Sequence, residues 1–209
     1  MKAIPREAGR VTYSTEIRNL KKINFSGYER AVIIGSILGD GCLCENWSKT
    51  NYRLIISHSV DQKEYIDWKY KILKQWILTA PRFYERNRSL TIRTISHPEL
   101  TTLRNVFYLN GKKIIPKNIF ELIKNPVVLA VWFMDDGNVN NDGYNLNTQS
   151  FSQEENSFLV EILKKEYGII CSIEKNKGYS RLYIWKRSAE AFRQIINDFV
   201  VPSLRYKLG

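Results

Sequence analysis

The chain has 209 residues, 44% of them apolar, which is enough to bury a core and too many for a disordered polymer. Lys and Arg number 32 against 21 Asp and Glu, and a formal charge of +11 points away from cationic ligands and towards a polyanion. No apolar run reaches the roughly 18 residues of a membrane span, and the first residues lack the apolar stretch of a secretion signal.

Residues 1–27 are polar and basic (Lys2, Arg6, Arg10, Arg18, Lys21, Lys22) and read as an arm lying along DNA or as a targeting tail. Glu7 and Glu16 argue against a transit peptide. Residues 31–41, AVIIGSILGDG, then form an apolar helix that stops at Asp40-Gly41, where glycine is free to turn left-handed. A polar loop follows, then an alternating segment over 52–59 and an amphipathic helix over 62–78, with Tyr65, Trp68, Ile72, Leu73 and Trp76 on one face. Residues 82–95 read as a hairpin turning at Asn87-Arg88-Ser89, and 98–108 as another helix, ahead of the phrase LNGKKIIPKNI.

The same order then recurs. Residues 127–137, VVLAVWFMDDG, end at Asp136-Gly137. After a loop come a segment at 144–150, a helix over 153–167, a hairpin over 172–186 turning at Asn176-Lys177-Gly178, a helix over 188–200, and the phrase VVPSLRYKL. The chain is therefore an α+β protein built as αββαββα twice, with an arm at 1–27 and halves at 28–125 and 126–209. Cys42, Cys44 and Cys171 are odd in number, and Cys42-x-Cys44 is too tight for a zinc knuckle. The thiols read as reduced and structural, which suits an intracellular protein of a bacterial cytoplasm or an organelle.

Either Asp-Gly step alone reads as a helix cap. As a pair in equivalent places, they put one carboxylate at the tip of each buried helix. Two carboxylates brought together need a cation, and oxygen-only ligation favours Mg²⁺. Helix C-termini leave carbonyls unpaired, so the peptide oxygens of Gly39 and Asp135 join Asp40 and Asp136 as metal ligands. Asp135's side chain stands behind them, because only Asp136 aligns with Asp40. Gly35, Ser36 and Gly39 permit close helix packing, and the chemistry best suited to such a site is metal-assisted phosphodiester hydrolysis.

The segments IIGSILGDG (33–41) and LAVWFMDDG (129–137) resemble the paired motifs of single-chain LAGLIDADG homing endonucleases. WFMDDG, LNTQSF and KKIIPKNI resemble the branch that contains the yeast mitochondrial omega-intron endonuclease, and the likeness runs from about residue 28 to the end. Val131 departs from the pattern, standing where the family often has glycine. The resemblance implies a pseudo-two-fold fold with two saddle-shaped antiparallel sheets in the DNA major groove. It also implies two or three Mg²⁺ ions, with Mn²⁺ as a substitute, and a catalytic lysine beside each site. By motif match these are Lys113 and Lys207, with Ser57, His58 and Gln149 near the attacking water.

Strands that read a groove need one apolar face and one of long polar side chains. Arg181, Tyr183, Trp185 and Arg187 alternate with Leu182, Ile184 and Lys186, and Arg82, Tyr84, Arg86, Arg88, Thr91 and Arg93 form the equivalent set. Asn145, Asn147 and Gln149 extend the second surface, Asn51 and Arg53 the first, and Lys175 and Lys177 suit phosphates. The expected activity is a staggered double-strand cut at a long asymmetric target, made by a monomer without membrane contact, with the strands cut at unequal rates. An RNA-binding intron maturase and a DNA-binding regulator without cleavage are the alternatives. Both aspartates and both lysines are present, which argues against the regulator, and no flanking splicing block supports an intein.

Overall fold

The computed structural model describes residues 14–176 and 178–209. Most of the basic arm and Lys177 lie outside the described residues. The described part of the arm forms a short helix, α1 (Thr15–Leu20), that buries Ile17 against the first half.

Each half opens with a helix whose start is written in its capping residues. In α2 (Gly27–Leu38), Ser26 and Glu29 form a reciprocal capping box. In α6 (Pro126–Asp136), Asn125 caps the amide of Val127, and Pro126 fills the first turn, where no N–H is needed. Every residue from Ala31 to Leu38 and from Val127 to Met134 is buried, so both helices are apolar all round and run through the centre. They pack on each other at Gly35. A Cβ there would lie 2.7 Å from both the carbonyl oxygen of Val128 and Cβ of Val131. Val131 therefore fills the notch that Gly35 leaves, and one glycine suffices for the close approach.

Each central helix feeds a four-stranded antiparallel sheet. The first contains β1 (Cys42–Glu45), β2 (Tyr52–Ser59), β3 (Arg82–Tyr84) and β4 (Ser89–Arg93), in the order β1-β2-β4-β3. The second contains β7 (Gly137–Asn140), β8 (Gly143–Leu146), β9 (Cys171–Asn176) and β10 (Tyr179–Ile184), in the equivalent order β7-β8-β10-β9. Helices α3 (Lys63–Ile72) and α4 (Pro98–Phe107) cover the inner face of the first sheet, and α7 (Gln153–Tyr167) and α8 (Lys186–Ile196) that of the second. Leu54, Ile56, Leu90 and Ile92 point inward in one half, and Tyr144, Leu146, Leu182 and Ile184 in the other. These join the central helices in one continuous core. Between the halves lie a small hairpin, β5 (Tyr108–Leu109) with β6 (Lys112–Lys113), and a short helix, α5 (Ile119–Leu122). Among the described residues no helix is long and apolar enough to cross a membrane.

The twice-repeated αββαββα order is present, with local departures from expectation. The segments after each Asp-Gly, read as loops, are the strands β1 and β7. The second alternating segment is strand only to Leu146. Neither Gly41 nor Gly137 turns left-handed; Gly137 is extended, at φ −92° and ψ 155°. Space explains both glycines instead. A Cβ on Gly41 would lie 2.6 Å from the carbonyl oxygen of Ser36, and one on Gly137 would lie 2.0 Å from the ring of Phe133. Finally, β10 stops at Ile184, so Trp185 caps α8 and Lys186 and Arg187 belong to that helix rather than to a strand.

Candidate active site

The two central helices end side by side, and their last residues interlock. A Cβ on Gly39 would sit 2.4 Å from Cβ of Asp135, and the amide of Asp40 donates to Oδ2 of Asp135 at 3.1 Å. Gly39, Asp40, Asp135 and Asp136 thus converge where helix gives way to strand in each half.

Lys113 and Lys207 arrive at this junction by different routes. Lys113 lies on β6, and its Nζ donates to the carbonyls of Gly39 (2.7 Å) and Gly41 (3.2 Å). Lys207 lies in a 3-10 turn over Pro202–Leu208, and its Nζ donates to the carbonyls of Met134 (2.6 Å) and Asp135 (3.3 Å). Cations are favoured at helix C-termini, where carbonyl dipoles accumulate negative potential. The Gly39 and Asp135 oxygens expected to ligate metal therefore each accept from a lysine, and each keeps a second lone pair. Burial lowers both lysine pKa values from the ordinary range.

Asp135's side chain is fully buried. Its Oδ1 accepts from Lys69 Nζ at 2.7 Å and from the Tyr65 hydroxyl at 2.7 Å. Tyr65 and Lys69 share the inward face of α3, and neither featured among the expected site residues. Their signal is a lysine inside an apolar helical stripe, between Tyr65 and Leu73 at four-residue spacing. Lys69 also contacts Nε2 of the buried His58 at 3.2 Å, while His58 Nδ1 lies 3.4 Å from Oδ2 of Asp40.

The two terminal carboxyls feel different surroundings. The hydrogen bond from His58 holds Asp40 below the usual carboxylate pKa, against its partial burial. Burial raises Asp136 to about 7, helped by the charges of Asp40 and Asp135 and opposed by Lys113 and Lys207. Among the described residues no side chain donates a hydrogen bond to the Asp136 carboxyl. Ligand atoms of Asp40, His58 and Asp135 lie within 4.8 Å of one another, but the Lys69 ammonium already neutralises Asp135. The carboxylates left for a divalent ion are Asp40 and Asp136. An oxygen-rich site whose second carboxyl lacks a cationic partner fits a hard cation such as Mg²⁺.

Polar side chains cover the outward faces of the sheets. On the first, Arg53 on β2, Arg82 and Tyr84 on β3 and Thr91 and Arg93 on β4 line a groove of about 730 Å³ that also takes in Arg18 and Lys21 beside α1. Ser57, in the same row, hydrogen-bonds Thr91 at 2.8 Å. Arg86 and Arg88 are exposed on the β3–β4 turn, where Arg88 is left-handed (φ 48°). On the second sheet, Arg181 and Tyr183 are half-buried, and Arg181 pairs with Glu174 at 3.3 Å. Trp185 and Arg187 stack at the sheet's end, 4.5 Å from cation to ring, and Lys175 is exposed on β9. Asn145 differs from expectation: it is 1% exposed and accepts from Asn140 at 3.3 Å. Asn147 and Gln149 follow β8, half-buried and joined by a 3.2 Å hydrogen bond. Arg53 Nε and Arg181 Nε, one on each sheet, are buried without a partner among the described residues. Such donors are costly unless an incoming acceptor meets them.

A family model described as the LAGLIDADG DNA endonuclease family matches residues 30–192. The chain is 30% identical over 208 residues to "Probable intron-encoded endonuclease 1" of Wickerhamomyces canadensis, spanning 92% of this chain and 89% of that protein. It is 26% identical over 198 residues to the cytochrome b mRNA maturase bI2 of Saccharomyces cerevisiae, spanning 86% of this chain and 47% of the maturase. Among solved structures, the homing endonuclease I-WcaI bound to its DNA recognition sequence matches with a TM-score of 0.86 at 27% identity, covering 96% of this chain and 95% of that one.

Proposed function

Because this chain belongs to the LAGLIDADG DNA endonuclease family, we propose that it is a site-specific homing endonuclease. It hydrolyses both strands of double-stranded DNA at a long asymmetric target, as a monomer that depends on Mg²⁺. One observation carries the reading: Asp40, Asp136, Lys113 and Lys207 gather at the joined ends of two buried helices.

Asp40 and Asp136, with the peptide oxygens of Gly39 and Asp135, would hold the ions. Bound there, Mg²⁺ supplies an activated water and offsets charge on the phosphate and its leaving oxygen. Lys113 and Lys207 keep their ammonium groups at the helix ends by donating to carbonyls, and so present positive charge to the charged phosphate. The outward rows led by Arg53, Arg82 and Arg93 in one half and Arg181 and Tyr183 in the other lie in the major groove. Arginine there favours guanine edges, and the unpartnered Nε atoms gain acceptors on binding. These rows differ between the halves, so the target is not palindromic. Two carboxylates serving one phosphate on each strand give a staggered break.

The maturase reading rests on the likeness to the bI2 maturase, in which intron RNA is the partner. One experiment separates the readings: incubation of a randomised duplex library with Mg²⁺ and wild type, Asp40→Asn or Asp136→Asn. Wild type should yield one family of cut sequences, and both variants should bind it without cutting. A wild type that binds DNA tightly yet never cuts sinks the endonuclease and favours the maturase or the regulator. If one variant makes both cuts at the normal rate, the shared site is wrong.

A further inference from the structure

We infer that Lys69 fixes the tautomer of His58 and thereby makes His58 a positioning residue for Asp40, a device that the Asp136 side lacks. The inference rests on the endonuclease reading. Lys69 Nζ lies 2.7 Å from Oδ1 of Asp135 with both groups fully buried, so it sits there as an ammonium ion, which can only donate. It lies 3.2 Å from His58 Nε2, which must therefore accept. An imidazolium would turn an N–H towards that ammonium, so the ring is neutral with its proton on Nδ1. That proton faces Oδ2 of Asp40 at 3.4 Å. A chain of donors thus runs from Lys69 through His58 to Asp40, and Asp135 ties both of its ends: it accepts from Lys69 and from the amide of Asp40.

The second half carries nothing comparable. His58 lies three residues beyond Ile55, which faces Cys42 in the β1–β2 pair. In the β7–β8 pair Asn145 faces Asn138, and three residues on stands Thr148. Thr148 is buried and donates to Asn156, not to Asp136. One carboxylate is held in place by a fixed donor, and the other is left to its ligands and to Lys113 and Lys207. The two strands consequently meet unlike machinery, and His58 governs the bias between them.

The chain's two histidines supply a spectroscopic test in the metal-free protein. His97 Nδ1 accepts from the amide of Glu99 at 3.2 Å, while Nε2 faces the carbonyl of Ile23 at 3.1 Å, so its proton belongs on Nε2. Nitrogen-15 spectra of histidine-labelled protein near neutral pH should show opposite tautomers, Nδ1–H for His58 and Nε2–H for His97. An Nε2–H or doubly protonated His58 overturns the inference. For function, Asn places an amide nitrogen where Nδ1 was, and Gln places one where Nε2 was. With an end-labelled target, His58→Gln should shift the ratio of first nicks between strands by about tenfold, the usual weight of one hydrogen bond to a charged group. His58→Asn should shift it distinctly less. Equal slowing of both strands by His58→Gln overturns the positioning role alone. A wild type that nicks neither strand in the same assay overturns the endonuclease and this role with it. Thermal melts check that both variants fold, and the tautomer test needs no variant at all.

Discussion

Replacing Asp136 by Asn should stabilise the metal-free protein at pH 8 and leave it unchanged near pH 4. In the folded chain the Asp136 carboxyl is raised from an ordinary 3.8 to about 7 by burial and by two neighbouring carboxylates. Its folded pKa exceeds its unfolded one, so the native state holds a proton that the unfolded chain releases between these values. Stability must then fall as pH rises through that window. The full shift, 7 less 3.8, corresponds to about 4 kcal/mol at about 1.4 kcal/mol per unit. Asp136 is only half-buried, and solvent screening brings the expected penalty to about 2–3 kcal/mol at pH 8. Asn carries no charge at any pH and escapes it. For a chain of this size, each kcal/mol moves the melting temperature by about 2–4 °C. Thermal melts in chelator should therefore show an Asp136→Asn advantage of about 4–12 °C at pH 8 that vanishes near pH 4. Asp40 has the opposite shift, so its contribution is lost as pH falls, but it is common to both proteins and cancels in the difference. Adding Mg²⁺ at pH 8 should narrow the gap by stabilising the wild type alone. A constant offset across pH, or a variant less stable than wild type at pH 8, would refute the reasoning.

Lys69→Met should cost about 3–5 kcal/mol in denaturant unfolding, because it leaves the Asp135 carboxylate buried without its cation. The double variant Lys69→Met/Asp135→Leu should recover much of that loss, and no recovery would mean the ion pair is not the cause. Gly35→Ala should cost about 1–3 kcal/mol by driving a methyl into Val131 and the Val128 carbonyl, and Val131→Gly in the same chain should couple with it in a double-mutant cycle. Additive effects would place the clash elsewhere. In DNA binding, Arg53→Ala and Arg181→Ala should each cost about 1–3 kcal/mol, at base positions in opposite half-sites. A uniform loss across the target would make them phosphate contacts instead.

Much of the architecture is legible because local patterns and tertiary demands agree. The central helices are apolar all round, and their starts carry Ser26 with Glu29 and Asn125 with Pro126. The strands β2 and β10 alternate cleanly. The strands β1 and β7 are not legible by themselves: CLCE and GNVN are short, and their pairing with β2 and β8 makes them strands. The glycines after Asp40 and Asp136 mislead for a related reason. Their role is steric, set by Ser36 and Phe133, and a dipeptide cannot reveal its neighbours. In the site, the terminal carboxylates are readable from the repeat, and the lysines only through family likeness. Lys113 comes from a strand and Lys207 from a 3-10 turn, so no shared local pattern marks them. Lys69 is hardest, because its burial depends on an aspartate 66 residues further along the chain.

That aspartate also bears on how freely the two halves could be traded. Asp135 belongs to the second half, yet Tyr65 and Lys69 of the first grip its carboxylate, and it returns a contact to the amide of Asp40. A hybrid that joins this first half to a foreign second half must bring an acid at the same point, or Lys69 is stranded in the core. The reverse hybrid must supply a cation for Asp135. The junction therefore behaves as a fitted coupling, which rejects mismatched parts before any question of target sequence arises.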